Sequence, residues 1–98
     1  MAEIRLRAVA ASDLSAILEY SIESFGREIG EDYLRSFGQA FDLLSRHPKV
    51  GAVRNDIQPP IRCLPHRSHR IFYDLDQETV WIVRILHQAM DAERWLAE

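Results

Sequence analysis

The residues best equipped for chemistry lie late in the chain. His87 ends an apolar run that begins near Thr79, and Asp91 follows four places on. A histidine beside a carboxylate is the pairing used in general acid–base catalysis, because an imidazole titrates near neutrality. Arg84, three places before His87, and Arg62 and Arg70 upstream could hold an anion there. The His-x-x-x-Asp spacing around a turn also has a structural reading, and it favours that one: the His87 ring bonds Asp91, and Asp91 caps the helix that follows. Arg84 interrupts an otherwise apolar strand, so it needs a carboxylate or carbonyl, supplied either by a helix of the same domain or by a partner. Trp95 either packs back on the body of the protein or stands out as an anchor for a partner. Cys63 is the only cysteine; it can form no internal disulfide and makes no metal site with scattered histidines. It reads as a small buried hydrophobe, and no metal or cofactor is expected.

The elements that must position these groups follow from periodicity. Ile4, Leu6 and Ala8 alternate with charged residues, as in a half-buried strand. Ser12 or Asp13 is the expected cap of a first helix, whose stripe is Leu14, Ile17, Leu18, Ile22 and Phe25, with Gly26 as its stop. A second helix is expected from about Gly30 to Pro48, with Tyr33, Leu34, Phe37, Ala40, Phe41 and Leu44 on its apolar side. Gly38 inside it either permits a close approach of the first helix or has no packing role. So short a connection makes the two helices an antiparallel hairpin. Lys49 to Pro60 reads as loop. Three strands follow: Ile61–Leu64, ending at Pro65; Ser68–Leu75; and Thr79–His87. The last is apolar on both faces, with Val80, Ile82 and Leu86 on one, and Trp81, Val83 and Ile85 on the other. That pattern belongs to a central or doubly covered strand, and Trp81 is expected in the core. Asp91–Glu98 forms a short helix. The fold class is α+β, in the order β-α-α-β-β-β-α. An antiparallel helical hairpin packs on one face of a mostly antiparallel sheet, and the other face is open to bind something.

Ninety-eight residues make a single domain, 1–98, with one modest core. A hydrophobic content of 47% with 28% charged residues excludes disorder. The net charge of -3 gives no reason to expect direct nucleic-acid binding. Charge is unevenly spread: Arg54, Arg62, Arg67 and Arg70, with His66 and His69, make a basic stretch suited to an anionic partner. Nothing resembles a signal peptide or a membrane span, so a cytoplasmic protein is expected.

Several segments resemble one family. Leu14 to Tyr20 is similar to a ParE first-helix pattern, Ser45-Arg46-His47-Pro48 to its helix ending, and Gly51 to the glycine that follows. Ser68-His69-Arg70-Ile71-Phe72-Tyr73 resembles its "SHxIFY" strand, and Val83 to Asp91 its "IRILHxxMD" ending. The chain is thereby similar to the ParE branch of the RelE/ParE toxin superfamily. The resemblance implies a type II toxin–antitoxin system: a toxin that binds and inhibits DNA gyrase, is neutralised by a ParD-like antitoxin, and meets DNA only through that antitoxin. RelE-like relatives instead cut mRNA on the ribosome, with lysines, arginines and a C-terminal tyrosine. Here Lys49 is the sole lysine, and Tyr20, Tyr33 and Tyr73 all precede the last strand. No catalytic residue is therefore assigned. The expected target- or antitoxin-binding residues are Arg62, Arg70, Arg84, His87 and Trp95, with Asp91 as a structural cap. An mRNA interferase and a non-toxic co-repressor remain the alternatives.

Overall fold

In the computed structural model, which describes residues 1–97, the chain runs β1 (Glu3–Leu6), α1 (Ala8–Phe25), α2 (Arg27–Arg46), β2 (Ala52–Arg54), β3 (Ile61–His66), β4 (His69–Asp76), β5 (Thr79–His87) and α3 (Ala92–Leu96). The sheet order is β1-β5-β4-β3-β2, with β1 parallel to β5 and every other pairing antiparallel. The expected α+β architecture is thus present, with one strand, β2, inside the stretch read as loop.

Gly26 alone joins the two helices. Its φ of 91° is open to glycine at little cost, and its N–H closes α1 on the Ile22 carbonyl at 2.8 Å. The helices approach most closely at Gly30, where a Cβ would lie 2.7 Å from the Ile22 side chain and 2.8 Å from its backbone nitrogen. Gly38, the glycine considered for that role, has open space around it. Accordingly α2 begins at Arg27, ahead of Gly30.

The helix-facing core joins Phe37, Ala40 and Leu44 of α2 to Ile71, Tyr73, Val80, Ile82 and Ile85 of the sheet, with Leu14 and Ile17 of α1 against it. Tyr73 is fully buried; its hydroxyl donates to the Pro48 carbonyl at 2.7 Å and accepts the Gly51 N–H at 2.9 Å. A second cluster covers the opposite face: Ile57, Ile61, Cys63, Phe72 and Leu86, under Met90, Trp95 and Leu96. The face expected to be open is therefore partly closed by α3 and the loop before β3.

Four further expectations are corrected. Ile85 rather than Leu86 faces the hairpin, because Phe72 pairs with Arg84 while Tyr73 pairs with Ile82, leaving Val83 as a bulge that reverses the alternation. Ala8 opens α1 instead of extending β1, so the helix starts four or five residues before the caps expected at Ser12 or Asp13. Trp81 lies half-buried on the face away from the hairpin, with the Arg7 and Arg5 guanidinium groups 5.3 and 5.8 Å from its ring centre. Pro65 does not end β3, which continues to His66.

Candidate functional site

β1 pairs with β5 only as far as Leu6 and Ile82, after which the chain turns into α1. Among the described residues no strand accompanies β5 on that side from Val83 to His87. Asp13 takes the place of the missing strand. Its Oδ2 accepts the Ile85 N–H at 2.9 Å, and its two oxygens receive Arg84 Nε and Nη2 at 2.9 and 3.0 Å. Both side chains are largely withdrawn from solvent, at 13 and 14% exposure. A forked ion pair that also closes a backbone donor compensates much of the cost of withdrawing the guanidinium from water. Arg84 is therefore paired within the domain, and it also donates to the Trp95 carbonyl at 3.3 Å and lies over that indole at 5.7 Å.

Beside this edge runs a groove of about 730 Å³. Its walls are α1 from Asp13 to Phe25, the start of α2 from Ile29 to Tyr33, the β3–β4 turn, and the end of β5 with Met90. Its surface is mainly apolar, and Tyr20, Phe25 and Ile29 along it are 66, 61 and 58% exposed. Large side chains left in water along a concave wall mark a place where another molecule sits.

One end of the groove is polar. His66, His69 and His87 are successive cross-strand partners on β3, β4 and β5. Tyr33 Oη lies 2.6 Å from His69 Nδ1 and 3.2 Å from Ser68 Oγ. Ser36 Oγ donates to the Tyr33 carbonyl and so accepts from His66 Nε2, at 2.7 Å. Burial pushes His69 down to about 4, helped by repulsion from His87 and His66. Burial, with Arg67 nearby, lowers His66 as well. These two imidazoles serve as neutral struts between α2 and the sheet.

The other expected site residues are scattered. Arg62 donates to the Lys49 and Gly51 carbonyls, far from the groove. Arg70 donates to the Arg67 and His69 carbonyls and reaches Gln88 Oε1 at 3.3 Å. His87 is exposed on the groove rim, and its Nδ1 accepts the Ala89 N–H at 3.0 Å. It does not bond Asp91, because the turn brings the nearer Ala89 amide to the ring first. Asp91 stands at the N-cap position of α3 without a side-chain capping bond. The expected basic stretch is also divided: Arg54 is held in a two-pronged pair with Asp56, while Arg67 lies exposed in the β3–β4 turn. The structure thus joins Arg84 to Trp95, ties Arg70 to Gln88 just past the end of β5, and leaves Arg62 apart. Sequence reasoning missed Tyr20, Phe25 and Ile29 as site residues. The available signal was Tyr20, a large aromatic off the α1 stripe.

A small α+β protein with a helical hairpin over a mostly antiparallel sheet, and an apolar groove at the sheet's unpaired edge, is built to receive a partner. Comparison with known proteins places it. The model of the family described as "ParE toxin of type II toxin-antitoxin system, parDE" matches residues 4–92. Toxin ParE1 of Mycobacterium tuberculosis is 34% identical over 90 residues, spanning 91% of this chain and 92% of that protein. Toxin ParE1 of Caulobacter vibrioides is 32% identical over 96 residues, spanning 98% and 99%. In fold, the chain is similar to a solved structure titled "Chromosomal ParDE TA system from P. aeruginosa", with a TM-score of 0.77, 21% identity, and coverage of 89% of this chain and 96% of that one. The chain belongs to the ParE toxin family of type II toxin–antitoxin systems. No helix among the described residues is long and apolar enough to cross a membrane.

Proposed function

We infer that this toxin acts in the cytoplasm by binding DNA gyrase and blocking its activity, and that a ParD-like antitoxin neutralises it by filling the groove beside β5. The observation that carries the antitoxin part is the groove itself. Exposed Tyr20, Phe25 and Ile29 line a trough beside the part of the β5 edge, Val83 to His87, that has no strand neighbour among the described residues. Such a site takes an amphipathic segment by its apolar side chains, with any backbone pairing confined to the part of the edge beyond the Ile85 N–H that Asp13 occupies. Gyrase as the target rests on membership of the family.

The state of the polar groups supports binding over RNA cleavage. Cutting RNA without a metal needs an acid, a base and cations free to face the phosphate. Arg84 is held by Asp13 and the Tyr73 hydroxyl is buried against Pro48 and Gly51. The Tyr33 hydroxyl is engaged with His69. His87 and Arg70 remain at the surface and, with Trp95 and the C-terminal helix, belong to the proposed target-contacting region.

The deciding measurement is DNA supercoiling by purified gyrase in the presence of this protein, with its folded state verified by circular dichroism. Inhibition that is relieved by the antitoxin is the expected result. Unimpaired supercoiling in the presence of folded toxin would remove gyrase from the account. Primer extension on translated mRNA after induction of the toxin gives no new discrete ends if it is a binder.

A further inference from the structure

The groove carries charged groups that its mainly apolar lining conceals. Two carboxylates, Asp13 and Asp32, line it, and each is already held by an arginine, Arg84 and Arg35 respectively. At one end, beside Tyr33, the imidazole row meets the β3–β4 turn. His69 titrates at about 4 and His66 below its ordinary value, so neither carries charge near neutrality. Among the described residues, Arg67 is the one arginine or lysine on the lining. Arg67 is exposed, has no carboxylate partner among the described residues, and holds its guanidinium 5.6 Å over the Tyr33 ring. Its backbone, at φ 52°, is fixed in the left-handed region of the turn, which sets the side chain at the mouth of the groove.

We propose that Arg67 is the receptor for a carboxylate of the segment that fills this groove, and that it fixes the direction in which that segment lies. The proposal rests on the antitoxin reading above. The occupant is an amphipathic stretch of the antitoxin, with apolar side chains on Tyr20, Phe25 and Ile29 and an aspartate or glutamate over the β3–β4 turn. A guanidinium already seated on an aromatic ring has lost part of its freedom before binding, so capturing a carboxylate there costs little further ordering. Reversal of the segment would leave Arg67 facing apolar groups and the carboxylate among aromatics, and each misplacement disfavours that orientation.

The test uses the full-length toxin and the antitoxin encoded with it, with affinity measured by titration calorimetry from 50 to 500 mM salt. Arg67→Gln is expected to weaken binding about tenfold at low salt and to flatten the salt dependence, while Arg67→Lys retains most of both. Tyr20→Ser should lower affinity and leave the salt dependence intact. Arg67→Glu is expected to bind about a hundredfold more weakly, and to recover when the matching antitoxin carboxylate is replaced by lysine. Tight wild-type binding that is indifferent to Arg67→Gln at every salt concentration overturns this proposal while sparing the antitoxin reading. Failure of the antitoxin to bind the wild-type toxin at all overturns both.

Discussion

Single side chains decide two properties of the protein. Asp13 and Arg84 are each costly to withdraw from water, and each offsets much of that cost for the other. Asp13→Ala removes the forked partner of a guanidinium that is 13% exposed and frees the Ile85 N–H. A loss of about 2–4 kcal/mol in urea unfolding is expected, much of it recovered in the double variant Asp13→Leu, Arg84→Met. The second property is acid sensitivity. An ordinary imidazole titrates at 6.5, and folded His69 at about 4, chiefly because it is buried. Between those values the unfolded chain binds the extra proton. The contribution of neutral His69 is therefore complete above about pH 6.5 and drains away as pH falls toward 4. Allowing for screening at this half-exposed position, roughly 1–2 kcal/mol is at stake. Denaturation midpoints of His69→Gln should fall less than those of the wild type between pH 7 and pH 4.5.

At the scale of elements, the hairpin depends on one glycine and is indifferent to another. Gly30→Ala sets a methyl against the Ile22 backbone and should cost about 1–3 kcal/mol, because the helices must part. Gly38→Ala meets nothing and should stabilise α2 by about 0.5–1 kcal/mol. Thermal unfolding of the two variants gives opposite signs. The sequence made the two helices and the last two strands legible because their apolar residues recur at the periods of a helix face and of an alternating strand. It concealed β2 because three residues, Ala52 to Arg54, carry too little alternation to register and form a strand only by pairing with Cys63, Arg62 and Ile61. The bulge at Val83 left no local mark either. It is a consequence of how β4 and β5 match along their whole length, and it moved Ile85 into the core. The start of α1 was misplaced because Asp13 has the chemistry of a cap but spends its carboxylate on a strand 71 residues away. The basic stretch was visible as composition, but not that Arg54 and Arg62 would be taken up locally and Arg67 left at the groove.

At the scale of the molecule, the two faces of the sheet have different tasks. The hairpin side holds the larger core, and the far side is partly covered by a five-residue helix through Trp95 and Leu96. Tyr20, Phe25 and Ile29 of the groove belong to neither core cluster, so these exposed side chains should be dispensable for folding. Tyr20→Ser together with Ile29→Ser is expected to leave the unfolding midpoint within about 0.5 kcal/mol of wild type. The same pair should abolish antitoxin capture in a pull-down. Of the site residues anticipated from sequence, Arg84 and Trp95 have proved to be joined to each other and to the fold. The groove is assembled from elements distant in the chain, which is why no single motif announced it.

The seat of Asp13 on Ile85 has a bearing on solubility. A sheet edge with open backbone donors templates the strand of a neighbouring molecule, and such pairing need not stop at two copies. A carboxylate lodged on that edge blocks the pairing with a charge that an incoming apolar strand cannot displace cheaply. Asp13→Ala should accordingly scatter light at concentrations where the wild type stays monodisperse. Addition of antitoxin should restore clarity, since the segment that silences the toxin would then also shield the edge.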